Sequence, residues 1–214
     1  MVQVITNLKL SGRSRNRVDV YLDGKKNFTI SKSIALELRR GQELSIDQIR
    51  ELNNRDLEEQ IYQQALRLIS RRPRSEAELR NRFLRKKVQT EIQDMVIARL
   101  REQGFVDDNA FARSWVENRL TFRPRSAWAI KQELRKKGVS NDAIRAALEN
   151  FDDDEAAYQA ALKVARKMAG MPKDLFIQRL AAYLSRRGFQ YSTVSPVVKR
   201  VWRETSSNCS ESEV

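Results

Sequence analysis

The sequence predicts a mainly α protein, with three tandem three-helix repeats preceded by a small N-terminal antiparallel β-sheet with short helices. The first observation behind this prediction is a basic segment, RRPRSEAELRNRFLRKK at 71–87, which returns about fifty residues later as FRPRSAWAIKQELRKKG at 122–138. The second is that apolar residues recur at helical spacing after residue 56. A period near fifty residues is typical of stacked supersecondary units that bury apolar faces against their neighbours.

The sheet is predicted between residues 1 and 30. Apolar and polar side chains alternate at 18–22, as in a strand with one buried face. Asp23 and Gly24 tolerate the positive backbone angles of a tight hairpin turn, and a return strand ends at Ile30. These residues therefore predict an antiparallel hairpin.

Two short helices are expected after the sheet. The first is stopped by Gly41, and Ser45 with Gln48 can form a capping box that starts the second, which runs toward Leu52. The polar run 53–56 then indicates a domain boundary. The predicted divisions are an N-terminal domain at 1–55, repeats at 56–106, 107–152 and 153–204, and a disordered tail at 205–214.

Each repeat contains three apolar stripes. Leu79, Ile130 and Leu180 are equivalent positions, separated by 51 and 50 residues. The other stripe residues are Leu57, Ile61, Ala65, Leu68, Ile69, Phe83, Ile92, Met95, Val96 and Leu100 in the first repeat; Phe111, Trp115, Val116, Leu134, Ile144, Ala147 and Leu148 in the second; and Tyr158, Ala161, Leu162, Ala165, Leu184, Val194, Val197, Val198, Val201 and Trp202 in the third.

Several helix ends are explained by local sequence. Capping boxes are predicted at Ser75 with Glu78 and at Thr90 with Gln93. Glycine supplies the left-handed residue that ends a helix at three further positions. These are Gly104, Gly138 and Gly188.

The charge predicts an acidic or polyanionic partner. The chain carries 41 Lys and Arg against 28 Asp and Glu, a net charge of +13. The one cysteine, Cys209, lies in a polar segment and indicates a reducing compartment. No run of eighteen apolar residues and no signal-peptide core is present, so we expect a cytoplasmic protein without a membrane anchor. We also expect a monomer.

The candidate binding residues are the bases of the repeated turn and of the helix that follows it. Lys86–Lys87 is matched with Lys136–Lys137, whereas the third repeat has MPKD in place of RPRS and keeps fewer bases. Arginine forks suit phosphate or carboxylate oxygens. The alternative is that these charges only solubilise a helical array. The candidates are Arg71, Arg72, Arg74, Arg80, Arg82, Lys86, Lys87, Arg123, Arg125, Lys131, Lys136, Lys137, Arg186 and Arg187.

The sequence offers little for catalysis, and we expect neither enzymatic activity nor a cofactor. It contains no histidine, no phosphate-binding loop and no Cys-x-x-Cys pair. The acidic run 152–155 is the basis for an alternative, a metal-dependent nuclease, but acids at a helix N-terminus more simply cap it. Trp115 and Trp202 are predicted to be core residues, while Trp128 is left open between core and base stacking.

The basic segments, in this order and followed by GFVDDNAFARSWVENRL at 104–120, resemble the RecX family of RecA regulators. The resemblance covers roughly residues 56–204. It implies tandem three-helix repeats and a protein that lies in the groove of a RecA–DNA filament, where it inhibits strand exchange and ATP hydrolysis in recombination, DNA repair and the SOS response. It makes RecA and its DNA filament the expected partners. A stand-alone single-stranded DNA or RNA binding protein, with no protein partner, remains the alternative.

Overall fold

The computed structural model describes residues 2–12 and 14–210, with side chains up to residue 206. The chain divides into two compact units, Met1–Val106 and Asp107–Val214. The first unit contains β1 (Val2–Leu10), β2 (Arg17–Leu22), β3 (Lys25–Ser31), α1 (Lys32–Ala35), β4 (Glu43–Ser45), α2 (Ile46–Ile69), α3 (Glu76–Arg85) and α4 (Thr90–Glu102). The second contains α5 (Asp108–Phe122), α6 (Ala127–Lys136), α7 (Asn141–Ala147), α8 (Asp153–Ala165), a 3-10 turn (Arg166–Met168), α9 (Lys173–Arg186) and α10 (Tyr191–Ser210). The predicted fold class is confirmed.

The sheet is antiparallel in the order β3-β2-β1-β4. The predicted hairpin between β2 and β3 is present, and both turn residues have positive φ, 48° at Asp23 and 80° at Gly24. The short strand β4 was not predicted and pairs with the start of β1. One face of the sheet is buried around Ile5, Val20 and Ile30. The sheet therefore has its own small core.

Helix α2 joins this sheet to the first repeat. The predicted capping box is present: Ser45 Oγ accepts from the Gln48 N–H at 3.2 Å, and Gln48 Oε1 accepts from the Ser45 N–H at 2.7 Å. The expectation that this helix is short is wrong, because it continues for 24 residues to Ile69. The polar run 53–56 lies inside the helix, so the first repeat begins within a helix and not after a linker.

Asp56 explains why the polar run does not interrupt the helix. Its side chain is buried, with 4% of the residue exposed. Its two carboxylate oxygens accept from the Arg17 guanidinium at 3.0 and 2.9 Å, while Oδ1 also accepts from the Ser31 N–H at 2.7 Å. Gln60 donates to Oδ2 at 2.8 Å. A residue that looks like part of a solvated boundary is therefore the polar link between β2, β3 and α2.

Each repeat has a separate apolar core, as the periodicity predicts. The largest fully buried side chains include Phe83 in the first repeat, Ile130 in the second and Phe176 in the third. Within the second unit, Phe151 packs against the cores of both the second and the third repeat. Leu57 is 36% exposed and Met95 is 46% exposed, so the assignment of these two residues to buried apolar stripes is wrong.

Most helix ends follow the predicted chemistry. Ser75 Oγ accepts from the Glu78 N–H at 3.3 Å. The capping box at Thr90 is wrong, because α4 begins after Gln89 and Gln93 donates instead to the Val88 carbonyl. The three predicted glycine stops all have positive φ. They are Gly104 at 71°, Gly138 at 75° and Gly188 at 91°.

The C-terminal helix is longer than the sequence suggests. A disordered tail from residue 205 is wrong for residues 205–210, because α10 continues to Ser210. The Thr205 hydroxyl donates to the Val201 carbonyl at 2.8 Å, which absorbs the polar side chain within the helix. The remainder of the predicted tail, 211–214, lies outside the described residues.

Gly188 has a packing role beyond its helix stop, and its replacement by alanine is expected to destabilise the protein. A Cβ at this position would lie 2.7 Å from Ser126 Oγ and 2.9 Å from Ala129 Cβ. Backbone strain and overpacking together give an expected loss of about 2–4 kcal/mol. Gly170 is the matched control, because it has a φ of 78° and a Cβ added there would meet nothing within 4 Å. Urea denaturation that shows equal losses for the two alanine variants would contradict the close packing.

Candidate partner-binding surface

The basic turn of the first repeat places its arginines in different environments. Arg72 makes two parallel hydrogen bonds to the Glu78 carboxylate, both at 2.9 Å, and also donates to the Pro73 carbonyl. The hydrogen bonds to Glu78 raise the pKa of Arg72. Arg72 therefore closes the turn onto the first turn of α3, and its charge is largely matched within the protein.

Arg74 is in the opposite situation. It is half-buried, and its Nε atom is buried without a hydrogen-bond partner among the described residues. Burial lowers the pKa of Arg74, and the positive charges of Arg72, Arg82 and Arg71 lower it further against an opposing effect of Glu78. Arg71 and Arg82 are exposed and form no ion pair within the described part of the chain. We call Arg71, Arg74 and Arg82 the arginine cluster.

The remaining candidates of the first repeat are less available. Arg80 donates to Glu76 at 2.7 Å and to Asp94 at 2.6 Å, and both contacts raise its pKa. It therefore ties α3 to α4. The Lys86 ammonium donates to Gln64, whereas the exposed Lys87 has a positive φ of 57°.

The backbone conformation corrects the register between the basic pairs. Lys87 occupies the left-handed position that ends the second helix of its repeat, and the equivalents at offsets of 51 and 50 residues are Gly138 and Gly188. Lys86 is therefore equivalent to Lys137, and the predicted match of Lys86–Lys87 with Lys136–Lys137 is wrong by one residue. A lysine in this conformation is strained by about 1–2 kcal/mol relative to glycine.

The second copy of the turn has a different charge pattern. Arg125, the equivalent of Arg74, pairs with Glu133 at 3.0 Å. The same carboxylate accepts from Arg119 at 2.7 Å and from the indole N–H of Trp115 at 2.8 Å. Glu133 stands at the position that Arg82 occupies in the first repeat, 51 residues earlier. One difference in sequence thus neutralises Arg125 in the second repeat and leaves Arg74 unmatched in the first.

Other bases of the second unit are either exposed or packed on aromatic rings. Lys137 lies 4.3 Å from the centroid of the Trp115 ring, and Arg187 lies 4.5 Å from that of Tyr183. Arg187 also donates to the Pro124 carbonyl at 2.9 Å, so it holds the turn of the second repeat. Four candidates are exposed and form no ion pair among the residues described. They are Arg123, Lys131, Lys136 and Arg186.

The three tryptophans have distinct surroundings. Trp115 is half-buried and stacks on Phe111 with the ring centroids 5.8 Å apart. Trp202 makes an edge contact of 5.0 Å with Phe176 in the core of the third repeat. Both agree with the predicted core role. Trp128, which the sequence does not assign to the core or to the surface, lies on the surface with 63% of the residue exposed.

The acidic run 152–155 has structural partners. Asp152 caps α8 by accepting from the N–H groups of Asp154 at 2.8 Å and Glu155 at 3.1 Å. Asp153 accepts from the Ala127 N–H at 2.8 Å, at the start of α6. Among the described residues, no group of three or more acidic or cysteine side chains is arranged to hold a metal ion. In the same part of the chain, no helix is both long and apolar enough to span a bilayer.

A small sheet followed by three three-helix repeats with a basic turn defines the class: a tandem helical-repeat protein with a basic surface. Family models for the first, second and third three-helix domains of RecX match residues 62–100, 107–148 and 152–198. The chain belongs to the RecX family.

The curated relatives of this chain are named "Regulatory protein RecX". The protein from Thermobifida fusca is 35% identical over 138 residues, which cover 61% of this chain and 75% of the relative. The protein from Oceanobacillus iheyensis is 28% identical over 207 residues, or 92% of this chain and 76% of the relative. These relatives support a regulatory role.

Solved structures support the same fold. A crystal structure of a regulatory protein RecX superposes with a TM-score of 0.69 at 26% identity and covers 91% of this chain and 98% of that one. The structure of RecX from Lactobacillus salivarius superposes with a TM-score of 0.57 over 67% of this chain and 96% of its own, at 19% identity, which supports the fold alone.

Proposed function

We propose that the protein is a cytoplasmic, non-enzymatic regulator that binds RecA or the RecA–DNA filament and lowers its strand exchange and ATP hydrolysis. The observation that carries the proposal is the match of all three RecX domains in order along the chain. RecA as the partner follows from membership of the family. Each unit has exposed bases that suit either the DNA phosphates or acidic side chains of such a filament.

Among these bases, the arginine cluster of the first unit is the group that we assign most directly to the partner. Arg74 has a buried, unmatched donor, and a like charge on either side opposes its ionised form. A phosphate or carboxylate oxygen placed among these side chains would accept from their exposed N–H groups and offset the mutual repulsion of the three guanidinium groups. The turn of the second repeat contributes Arg123, because Glu133 already satisfies Arg125.

We expect the purified full chain to slow RecA turnover on single-stranded DNA at substoichiometric or near-equal ratios. We expect this result because a regulator bound along the filament contacts RecA subunits while they hydrolyse ATP. The measurement is the DNA-dependent ATPase rate together with strand exchange, with the protein alone as the control for hydrolysis of its own. An unchanged RecA rate at large excess of the protein would show that the proposed function is wrong.

A stand-alone single-stranded nucleic-acid binding protein is the second candidate function. The observation that favours it is the coexistence of unmatched arginines with an exposed aromatic side chain, Trp128. Binding to bare DNA is compared with binding to RecA-coated DNA at one salt concentration. Tighter binding to the coated DNA supports the RecA regulator, and equal or weaker binding supports the alternative.

A further inference from the structure

Two large aromatic side chains lie exposed at the ends of the basic turn of the second repeat. Phe122 ends α5 with 69% of the residue exposed, and Trp128 lies in the first turn of α6 with 63% exposed. The equivalent positions of the first repeat are Arg71 and Ala77, 51 residues earlier. The two copies of the turn therefore differ in chemistry: the first has unmatched arginines, and the second has exposed rings.

One edge of the Trp128 ring lies close to a neighbouring backbone segment. A Cβ at Gly188 would lie 3.5 Å from Cε3 of the indole, so the ring edge approaches the backbone of Gly188. The turn around it is fixed, because the Ser126 N–H donates to the Arg187 carbonyl at 3.2 Å and Arg187 donates to Pro124. A largely exposed ring that is attached to a fixed turn loses less conformational entropy on stacking than a ring on a mobile loop.

The surroundings of the ring are cationic. Lys131 and Arg135 follow Trp128 at helical spacings of three and seven residues and are exposed on the same side of α6. The acidic residue of this helix, Glu133, is directed away into the contacts with Arg119, Arg125 and Trp115. The Asp153 carboxylate lies at the start of the helix, where it accepts from the Ala127 N–H at 2.8 Å. An exposed indole followed by Lys131 and Arg135, on a helix whose own carboxylate is already ion-paired, fits a base and its phosphates better than an apolar protein surface.

We propose that Trp128 is a stacking platform for a base of single-stranded nucleic acid, with Lys131 contacting the adjoining phosphate. The proposal adds a binding site to the proposed function. Only the location of this site on a RecA–DNA filament depends on that function. The stacking itself is a property of the chain alone. In this proposal the second repeat contacts DNA directly through a base, whereas the first repeat contacts an anion through its arginines.

The test uses the full chain without RecA and two oligonucleotides of equal length, oligo(dT) and its abasic deoxyribose-phosphate counterpart. Trp128→Ala and Trp128→Leu are each expected to weaken oligo(dT) binding about tenfold, whereas Trp128→Tyr keeps most of the affinity because it keeps a π-face. The salt dependence of binding stays the same, because no charge is removed. The preference of the wild-type chain for oligo(dT) over the abasic strand disappears in the alanine variant.

The leucine variant separates stacking from docking on a protein. If Trp128→Leu binds oligo(dT) as the wild type does, or if the preference over the abasic strand survives in Trp128→Ala, the stacking proposal is wrong. If the variants weaken only the binding to RecA-coated DNA, the ring contacts protein, and the proposal is also wrong. Inhibition of the RecA ATPase by the wild-type chain is measured separately, so either result leaves the proposed function intact.

Discussion

Replacement of Asp56 by alanine is expected to lower the free energy of unfolding of the N-terminal half by about 3–5 kcal/mol, because it leaves the Arg17 guanidinium partly buried without its partner. The same change also removes the acceptor of the Ser31 N–H at 2.7 Å and of Gln60 at 2.8 Å. Urea denaturation of the full chain, with hydrogen exchange of β2 and β3 followed by mass spectrometry, measures this loss.

The exposed pair of Arg55 and Glu37 is the matched control. It has the same bidentate geometry, with distances of 2.8 and 2.7 Å, but both side chains are substantially exposed. Glu37→Ala is therefore expected to leave the denaturation midpoint almost unchanged, because solvent already screens the pair. Similar effects of the two substitutions would mean that the burial of Asp56 does not determine its contribution.

Reversal of two charges in the arginine cluster, Arg71→Glu with Arg82→Glu, is expected to weaken binding to single-stranded DNA about 100-fold. Each charge-assisted hydrogen bond contributes about 1.5–3 kcal/mol, which corresponds to about tenfold or more in affinity. If both side chains contact phosphates, the slope of log K against log salt falls by about 1.4 in magnitude, or about 0.7 for each contact. Fluorescence anisotropy at several salt concentrations gives both quantities.

Two controls make this result specific. Arg39→Glu with Arg40→Glu reverses the same total charge at two exposed arginines of the same unit and is expected to leave most of the affinity. Arg125→Glu, at the equivalent of Arg74, places two carboxylates together at Glu133 and is expected to reduce stability more than binding. If the cluster variant and the Arg39–Arg40 variant bind alike, the cluster is only solubilising charge. A loss for the filament without a loss for bare DNA would identify an acidic surface of RecA as the target.

Local sequence is sufficient to predict the helices, their repetition and many of their ends. Ser75 and Gly188 have their predicted roles because capping and left-handed stops depend on residues within about one helical turn. The apolar periodicity likewise predicts the cores of the repeats, since each stripe reports the buried face of its own helix. Leu57 and Met95 are exceptions, because they fit the apolar pattern but remain exposed. Thr90 is an exception because the helix begins one residue earlier than its capping pattern predicts.

The candidate site was predicted only as a set of bases, and the structure divides that set. Arg80, Arg125 and Arg187 have partners inside the protein, whereas Arg71, Arg82 and Arg123 are exposed. A difference between aligned repeats, Arg82 against Glu133, was visible in the sequence and is the signal from which the unmatched Arg74 could have been found.

The sequence by itself determined the repeat number, the hairpin, the positive charge and the family of this protein, because each depends on composition or on spacing along the chain. The tertiary structure decided which polar groups are matched across distant elements and showed that the Trp128 ring is exposed. Asp56 meets Arg17 across 39 residues, and Arg187 reaches Pro124 across 63. Such contacts depend on how separate elements pack. The residue type of a charged or aromatic side chain does not show whether its partner is a neighbouring helix or a ligand.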